Sequence, residues 1–514
     1  MAESPVAAAP APAAAADSIV DADDYDAQLE VVRSLKAAGA SPTRVKSAAM
    51  KLAQLKRATW VPSGTASRKK KRRAAIEAVK EGFDPSEVEK MEAARDAAAV
   101  AEYPPRDPPP MDADGFVVSF PPPRVRTAVN TEGAEGGADT AVHDDDDAAA
   151  MVFFRRYGFV VYRDVLSKDE CASTRAEIWN HLERVQFPTP GASRCLSRHD
   201  RTTWDLMDNV ATYGLAPDPA VFTRQLVRNR QNPRVLACLA AVLRRETIYD
   251  SPTASTSEHS CVPSELTPAC VREVIVSQDR WCVYRPTVNV PVGVGDATTD
   301  KPEWRTRPNV HLDLHPWNFN ARDGADVLPT EDLTFENLRD FSRETNAVSH
   351  VSGPHCQGVV ALMDNRTEDG GTVLVPGFHD VFNDWQKALG DPARYAAAHE
   401  DWGRNRLVWR GAGAGSFKFG SDDAVHRLKV RAPIREGSFL IWDQRVAHGS
   451  EPNESDQPRM AQFIKGFRRG GAGEGRLARR AARVKAELER AGLLGEVSEL
   501  GRVAFGLDYA LDSS

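Results

Sequence analysis

The spacing of apolar and polar positions divides the chain near Met151. Upstream, apolar residues recur at helical intervals in two short stretches, Leu29, Val32 and Leu35 in one and Val45, Ala49, Leu52 and Leu55 in the other. The intervening GASPT, residues 39–43, supplies a glycine stop, a serine cap and a proline at a first helical position, so residues 21–62 read as a helical hairpin. Downstream, MVFFRRYGFVVYRDVLSKDEC reads as a short helix, a glycine turn, a strand from Phe159 to Tyr162, and a helix capped by Ser167 that runs through Ile178, Trp179 and Leu182. Val235, Leu236, Leu239 and Leu243 mark another helix over 233–245. Beyond it, short runs rich in Val, Ile, Phe and Trp predict strands at 274–277, 281–290, 309–314, 358–363, 372–375, 427–431, 438–442 and 460–467. Many short strands without intervening helices point to a two-sheet jelly roll. Residues 472–495 return to a basic amphipathic helix.

Composition sharpens the upstream half. Residues 1–20 are rich in Ala and Pro, with little apolar surface to offset ordering entropy, and are expected to be disordered. Residues 63–150 read as a linker: the basic run RKKKRR at 68–73, one charged Ala-rich helix over 72–101, the proline stretches YPPRDPPP and FPPPR, and the acidic run HDDDD at 143–147. A net charge of −7 implies no general affinity for nucleic acid or membrane, so such binding would be local. Seven cysteines without a CxxC pair read as reduced thiols. The N-terminal segment lacks the basic and apolar regions of a secretory signal, and no long apolar run occurs. A cytoplasmic protein is expected, with 68–73 as a candidate nuclear signal.

Side chains two apart on a strand share a face, so His-x-Asp on extended backbone offers two metal ligands together. The spacing occurs at His143/Asp145, His311/Asp313 and His399/Asp401. The first lies in the acidic linker and the third in a helical pattern, where residues two apart diverge. Only RPNVHLDLHPW is strand-like, with Val310, Leu312 and Leu314 free to face the core while His311 and Asp313 face a cavity. A third ligand must come from a distant strand. His448 follows the apolar run GSFLIWD, whereas His426 follows none and has basic neighbours, so His448 is favoured and His426 is read as a surface histidine or one that supports the site from outside the ligand set.

These segments, in this order, resemble the phytanoyl-CoA dioxygenase family: GFVVYRDVLSKDEC, the His311/Asp313 pair, DNRTEDGGTVLVPGFH, and AHGSEPN followed by Arg459. The resemblance spans residues 151–470 and implies a double-stranded β-helix. The expected fold class is therefore α+β, predominantly β, a jelly roll with flanking helices, an N-terminal hairpin and a C-terminal helical extension over 471–514. The resemblance further implies Fe(II) held by His311, Asp313 and His448, and 2-oxoglutarate held through its far carboxylate by Arg459 with help from Ser450. Two imidazoles and a carboxylate fill one face of an octahedral ion and leave three positions for a bidentate oxo acid and O2. The implied reaction hydroxylates a C–H bond of a small-molecule substrate and releases succinate and CO2, with ascorbate as an auxiliary reductant. Asp313 argues against the halogenase branch, where a small residue stands. A cupin-type metalloenzyme would need no Arg459.

Gly371, Pro376, Gly377 and His379 match the family's turn region and are read as placing strands and turns. His315 lies two beyond Asp313, but Pro316 is expected to bend the chain away, so ligation is disfavoured and its role stays open between pocket and elsewhere; Trp317, Tyr284 and Arg285 read as pocket, core or surface residues. The stretch VVRSLKAAGASPTRVKSAAMKLAQLKRA resembles a WHEP domain, which implies RNA or protein contact through residues 21–73, with Lys36, Arg44, Lys46, Lys51, Lys56 and Arg57 supplying charge; the same residues read equally as the solvated basic face of a small helix pair. The competing reading from another class is a non-catalytic RNA- or protein-binding scaffold working through that hairpin.

Overall fold

The structure is a computed structural model, and it describes residues 107–125, 138–186, 194–207, 214–216, 219–243, 266–292, 297–314, 316, 355–389, 417–419, 423, 425–469 and 474–510. The expected WHEP-like hairpin at 21–62, the basic run at 68–73, His315, Trp317 and the His399/Asp401 pair lie outside these residues. The described helices are α1 Ala138–Tyr157, α2 Lys168–His181, α3 Arg224–Arg230, α4 Pro233–Val242, α5 Pro268–Arg272, α6 Phe378–Ala388, α7 Val425–Leu428, α8 Glu474–Arg490 and α9 Glu499–Ala504. The strands are β1 Phe159–Tyr162, β2 Val274–Val276, β3 Trp281–Tyr284, β4 Val290–Pro291, β5 Thr298–Thr299, β6 Asn309–Leu312, β7 His355–Ala361, β8 Gly371–Leu374, β9 Phe417–Lys418, β10 Val430–Arg431, β11 Phe439–Asp443, β12 His448–Glu451, β13 Arg459–Phe463 and β14 Gly466–Arg468.

Local signals in the sequence set several boundaries. α1 stops at Gly158, whose φ of 76° lets the chain reverse into β1. Ser167 and Glu170 form a capping box at the start of α2, and Asn232 with Pro233 opens α4. Leu477, Ala481, Val484 and Leu488 form one buried stripe along α8, at the four-three-four spacing of a helix face. Val484, Leu488, Phe505 and Leu507 belong to the same core as β3 and β11, so the C-terminal helices pack as part of this unit.

A large antiparallel sheet runs β1-β11-β7-β13-β3, with β14 beside β2 and β7; a smaller one runs β10-β8-β12-β6-β9. The central strands of the large sheet are buried on both faces. Phe439 and Ile441 of β11, Val360 of β7 and Met460 of β13 meet a core built with α2 and α4. Leu440, Trp442, Val359 and Ala461 point the other way, toward Leu374 of the smaller sheet. Period-two alternation thus sorts each strand into a helix side and an inter-sheet side.

The architecture is α+β with two main antiparallel sheets, as expected, and a small β4-β5 ribbon besides, but helices hold more of the described residues than strands do. The expected predominance of β fails because a helical layer is needed to cover the outer apolar face of the large sheet. Helices also interrupt the strand series. α6 follows β8 and packs Phe378, Phe382 and Trp385 against Phe417 and Phe419. The strand expected at 427–431 is instead the single turn α7 followed by β10, since Asp423 Oδ1 accepts from the Val425 amide and nucleates a turn. The proline stretch around 107–125 meets the large sheet at β1, where the Phe120 amide donates to the Val161 carbonyl, while the Val117 amide donates to the Pro433 carbonyl and Arg435 lies over Phe116. The acidic run at 143–147 falls within α1. The six described cysteines, Cys171, Cys195, Cys238, Cys270, Cys282 and Cys356, are thiols and not disulfides. Among the described residues no helix is long and apolar enough to cross a membrane.

Candidate metal centre

β6 and β12 are adjacent antiparallel strands whose register sets His311 opposite His448. Val310, Leu312 and Leu314 point outward into the cluster built on α6, which leaves His311 and Asp313 on the inter-sheet face. Gly449 permits the close strand approach, since a Cβ there would meet the Asn309 carbonyl oxygen at 1.8 Å. One potential ligand atom from each of His311, Asp313 and His448 lies within 4.8 Å of the others. His311 Nε2 is 3.4 Å from Asp313 Oδ1, His448 Nε2 is 3.9 Å from Asp313 Oδ2, and the two imidazole centroids are 4.5 Å apart. The three groups expected from the sequence therefore converge, while His426 sits on α7 and does not line the cavity.

The donor set fits a divalent cation. His448 Nδ1 donates to the Val446 carbonyl at 2.9 Å, which leaves the Nε2 lone pair directed at the cluster. Burial, and then the neighbouring His311 charge, pull the His448 pKa down to about 3, so this imidazole is neutral at ordinary pH, as ligation requires. In the metal-free protein that depression has a measurable consequence. An unfolded histidine titrates near 6.5, so below that pH the unfolded chain takes up a proton that the folded site refuses. Stability of the apo protein is expected to fall as pH drops from 6.5 toward 3, and His448→Gln should flatten that slope in urea unfolding curves recorded across this range.

Asp313 Oδ2 also accepts from Gln357 Nε2 at 2.9 Å and from Lys465 Nζ at 3.1 Å. Neither partner was singled out from the sequence, though strand alternation from Arg459 through Ala461 and Phe463 points Lys465 to the same face.

Arg459 lies in the same cavity, of about 260 Å³, and is 3% exposed. Its Nε donates to Asn365 Oδ1 at 2.8 Å, Nη1 to Cys282 Sγ at 3.3 Å and Nη2 to Thr372 Oγ1 at 3.4 Å, and its guanidinium lies 4.8 Å from the centroid of the Tyr284 ring. Gly371, at φ 100°, makes room for it, because a Cβ there would come within 2.3 Å of Arg459 Nε. Ser450 lines the cavity two residues along β12 from His448, its amide fixed by Asn309 Oδ1 at 3.0 Å. Tyr284 is a cavity residue, whereas Arg285 is turned into the core, donating to the Trp204 carbonyl and covering Trp304. His379 is buried away from the cavity, with its Nε2 3.0 Å from the Arg155 carbonyl.

The chain is 29% identical over 320 residues, 61% of its own length and 74% of the other's, to a Dictyostelium discoideum protein that carries the phytanoyl-CoA dioxygenase name. Similar solved structures include the non-haem α-ketoglutarate-dependent epimerase SnoN of nogalamycin biosynthesis, at 16% identity and a TM-score of 0.31 over 64% of this chain and 84% of that one. Another is EvdO2 of Micromonospora carbonacea var. aurantiaca complexed with 2-oxoglutarate, at 14% identity and a TM-score of 0.29 over 62% and 90%. The profile of the phytanoyl-CoA dioxygenase family matches residues 154–461, a span that holds β1, the whole smaller sheet, most of the large sheet and the His311, Asp313 and His448 cluster. The chain therefore belongs to the phytanoyl-CoA dioxygenase family of iron- and 2-oxoglutarate-dependent dioxygenases.

Proposed function

We propose that this protein hydroxylates a C–H bond of a small molecule, with His311, Asp313 and His448 holding Fe(II) and Arg459 holding 2-oxoglutarate. The observation that carries the reading is Arg459 itself. A guanidinium this buried is costly without an anion, and among the described residues no carboxylate pairs with it. It shares a cavity with a three-ligand cluster, which is the combination an oxo dicarboxylate requires.

Bound in this site, iron(II) together with 2-oxoglutarate and O2 supplies the oxidising power for hydroxylation, and the oxo acid leaves as succinate and CO2. The protein's own contribution is placement. Asn365, Thr372 and the Tyr284 ring hold the plane of the guanidinium so that its remaining N–H groups can meet a carboxylate with paired charge-assisted bonds. The Ser450 hydroxyl lies on the same side of β12 as His448 and can add a donor to that carboxylate. Trp442, Val359 and Phe463 line the cavity with apolar surface and limit its water.

Mixing the protein with Fe(II) and 2-oxoglutarate under argon should produce a weak visible charge-transfer band, and admitting air should generate succinate even without the natural substrate. Absence of both the band and succinate across a broad substrate panel would remove the oxygenase reading. An RNA or protein contact through residues 21–73 rests on their sequence alone, on the basic positions from Lys36 to Arg57 and the run at 68–73.

A further inference from the structure

Two cavity residues have no part in the scheme above, and both reach one atom. Gln357 comes from β7 and Lys465 from the turn between β13 and β14. Each donates to Asp313 Oδ2, at 2.9 and 3.1 Å; Oδ1 lies 3.4 Å from His311 Nε2, and Oδ2 lies farther, 3.9 Å, from His448 Nε2. The arrangement is held from behind. Trp442 Nε1 donates to Gln357 Oε1 at 2.9 Å, so the amide must present its NH2 end to the carboxylate. The Lys465 amide donates to Ser277 Oγ and its carbonyl accepts from the Ser277 amide, both at 3.0 Å, which fixes the base of the lysine stem. Both Gln357 and Lys465 are buried.

The choice of oxygen matters to the chemistry of such a centre. Two imidazoles and one carboxylate oxygen leave three positions free, the number that a bidentate oxo acid and O2 need together. A carboxylate that chelates through both oxygens takes one of them. Two donors on the same oxygen, one of them charged, engage its lone pairs and leave Oδ1 as the available ligand atom. We infer that Gln357 and Lys465 are positioning residues that reserve Asp313 Oδ2 for hydrogen bonding and so keep Asp313 a one-oxygen ligand. This inference rests on the metal-binding reading of His311, Asp313 and His448.

Lys465 affects a metal in two opposing ways, which makes the test sharp. As a positive charge next to the site it repels a cation; as a donor it orients the ligand. Co(II) serves as the probe, added to the full-length protein, with affinity read by calorimetry and coordination number by the visible absorption spectrum. Gln357→Leu and Lys465→Met are each expected to weaken Co(II) binding about tenfold or more, the usual cost of losing a hydrogen bond to a ligand, and to alter the visible spectrum. Lys465→Arg should recover most of the affinity and the wild-type spectrum, and Lys465→Gln, which keeps a donor without the charge, should recover part. Circular dichroism and melting curves check that each variant is folded; should Lys465→Met fail to fold, Gln357→Leu and Lys465→Gln carry the measurement. Co(II) binding by Lys465→Met that equals or exceeds wild type, with an unchanged spectrum, overturns the inference, as does a folded Lys465→Arg that recovers nothing. A wild-type protein that binds no Co(II) would instead sink the metal reading itself, and this inference with it.

Discussion

Replacing Asp313 by alanine is expected to end succinate formation and to weaken Fe(II) binding by more than about 100-fold, beyond the 10- to 100-fold typical when only a hydrogen bond to a ligand is lost. Three features of the site make this the largest effect. Asp313 is the single carboxylate in the His311, Asp313, His448 cluster, so its loss leaves only two imidazoles to hold a dication. It is also the carboxylate partner of the Lys465 ammonium, 3.1 Å away, which would remain as an uncompensated positive charge beside the metal position. Finally, Gln357 Nε2 would lose its acceptor inside the protein. Breaking one side of a buried ion pair costs about 3–5 kcal/mol, and because the lysine side chain is 11% exposed and can turn partly toward water, the lower end applies. Asp313→Ala should thus lose metal binding, and its melting temperature should fall even without metal. Calorimetry with Fe(II) under argon, succinate measurement and thermal unfolding read these separately. Turnover at the wild-type rate in Asp313→Ala would remove Asp313 from the metal centre.

Replacing Arg459 by methionine acts on a different step. The guanidinium touches none of the three candidate ligands, so Fe(II) affinity is expected to stay near wild type. Removing one partner of a buried charge pair costs about 2–5 kcal/mol, which corresponds to a KM for 2-oxoglutarate raised roughly 30- to several-thousand-fold. A rise in KM with kcat retained at saturating 2-oxoglutarate would mark Arg459 as a binding group. Arg459→Lys should fall between, since an ammonium supplies charge without the planar pair of donors. A KM within threefold of wild type in Arg459→Met would show that another group holds the carboxylate.

Much of this site was legible in the order of residues, and the reason is periodicity. The alternation around Val310, Leu312 and Leu314 separated His311 and Asp313 from two other pairs with the same spacing, because only there does a two-residue interval put both side chains on one face. The apolar run before His448 marked the distal strand in the same way, and β12 does carry it opposite His311. Arg459 opens β13 where a strand was read to begin one residue later. The expected strand at 427–431 fared less well, because the Asp423 contact that starts α7 is too local to be visible in a hydrophobic pattern.

Gln357 and Lys465 show where reading along the chain stops. Both lie on segments read as strands or at their edges, and alternation alone would turn Lys465 inward with Arg459. Nothing in the sequence says that a glutamine 44 residues from Asp313 and a lysine 152 residues from it meet at one oxygen. That is decided by sheet order, which sets β7 beside β13 in one sheet and β6 beside β12 in the other, and by the packing of the two sheets around a shared cavity. The sequence by itself picked out His311, Asp313 and His448 by their strand patterns, and Arg459 by the family resemblance of the segment that carries it. Only the tertiary structure decided which oxygen of Asp313 is left for a metal and how Arg459 is held, because both depend on contacts between strands far apart in the chain.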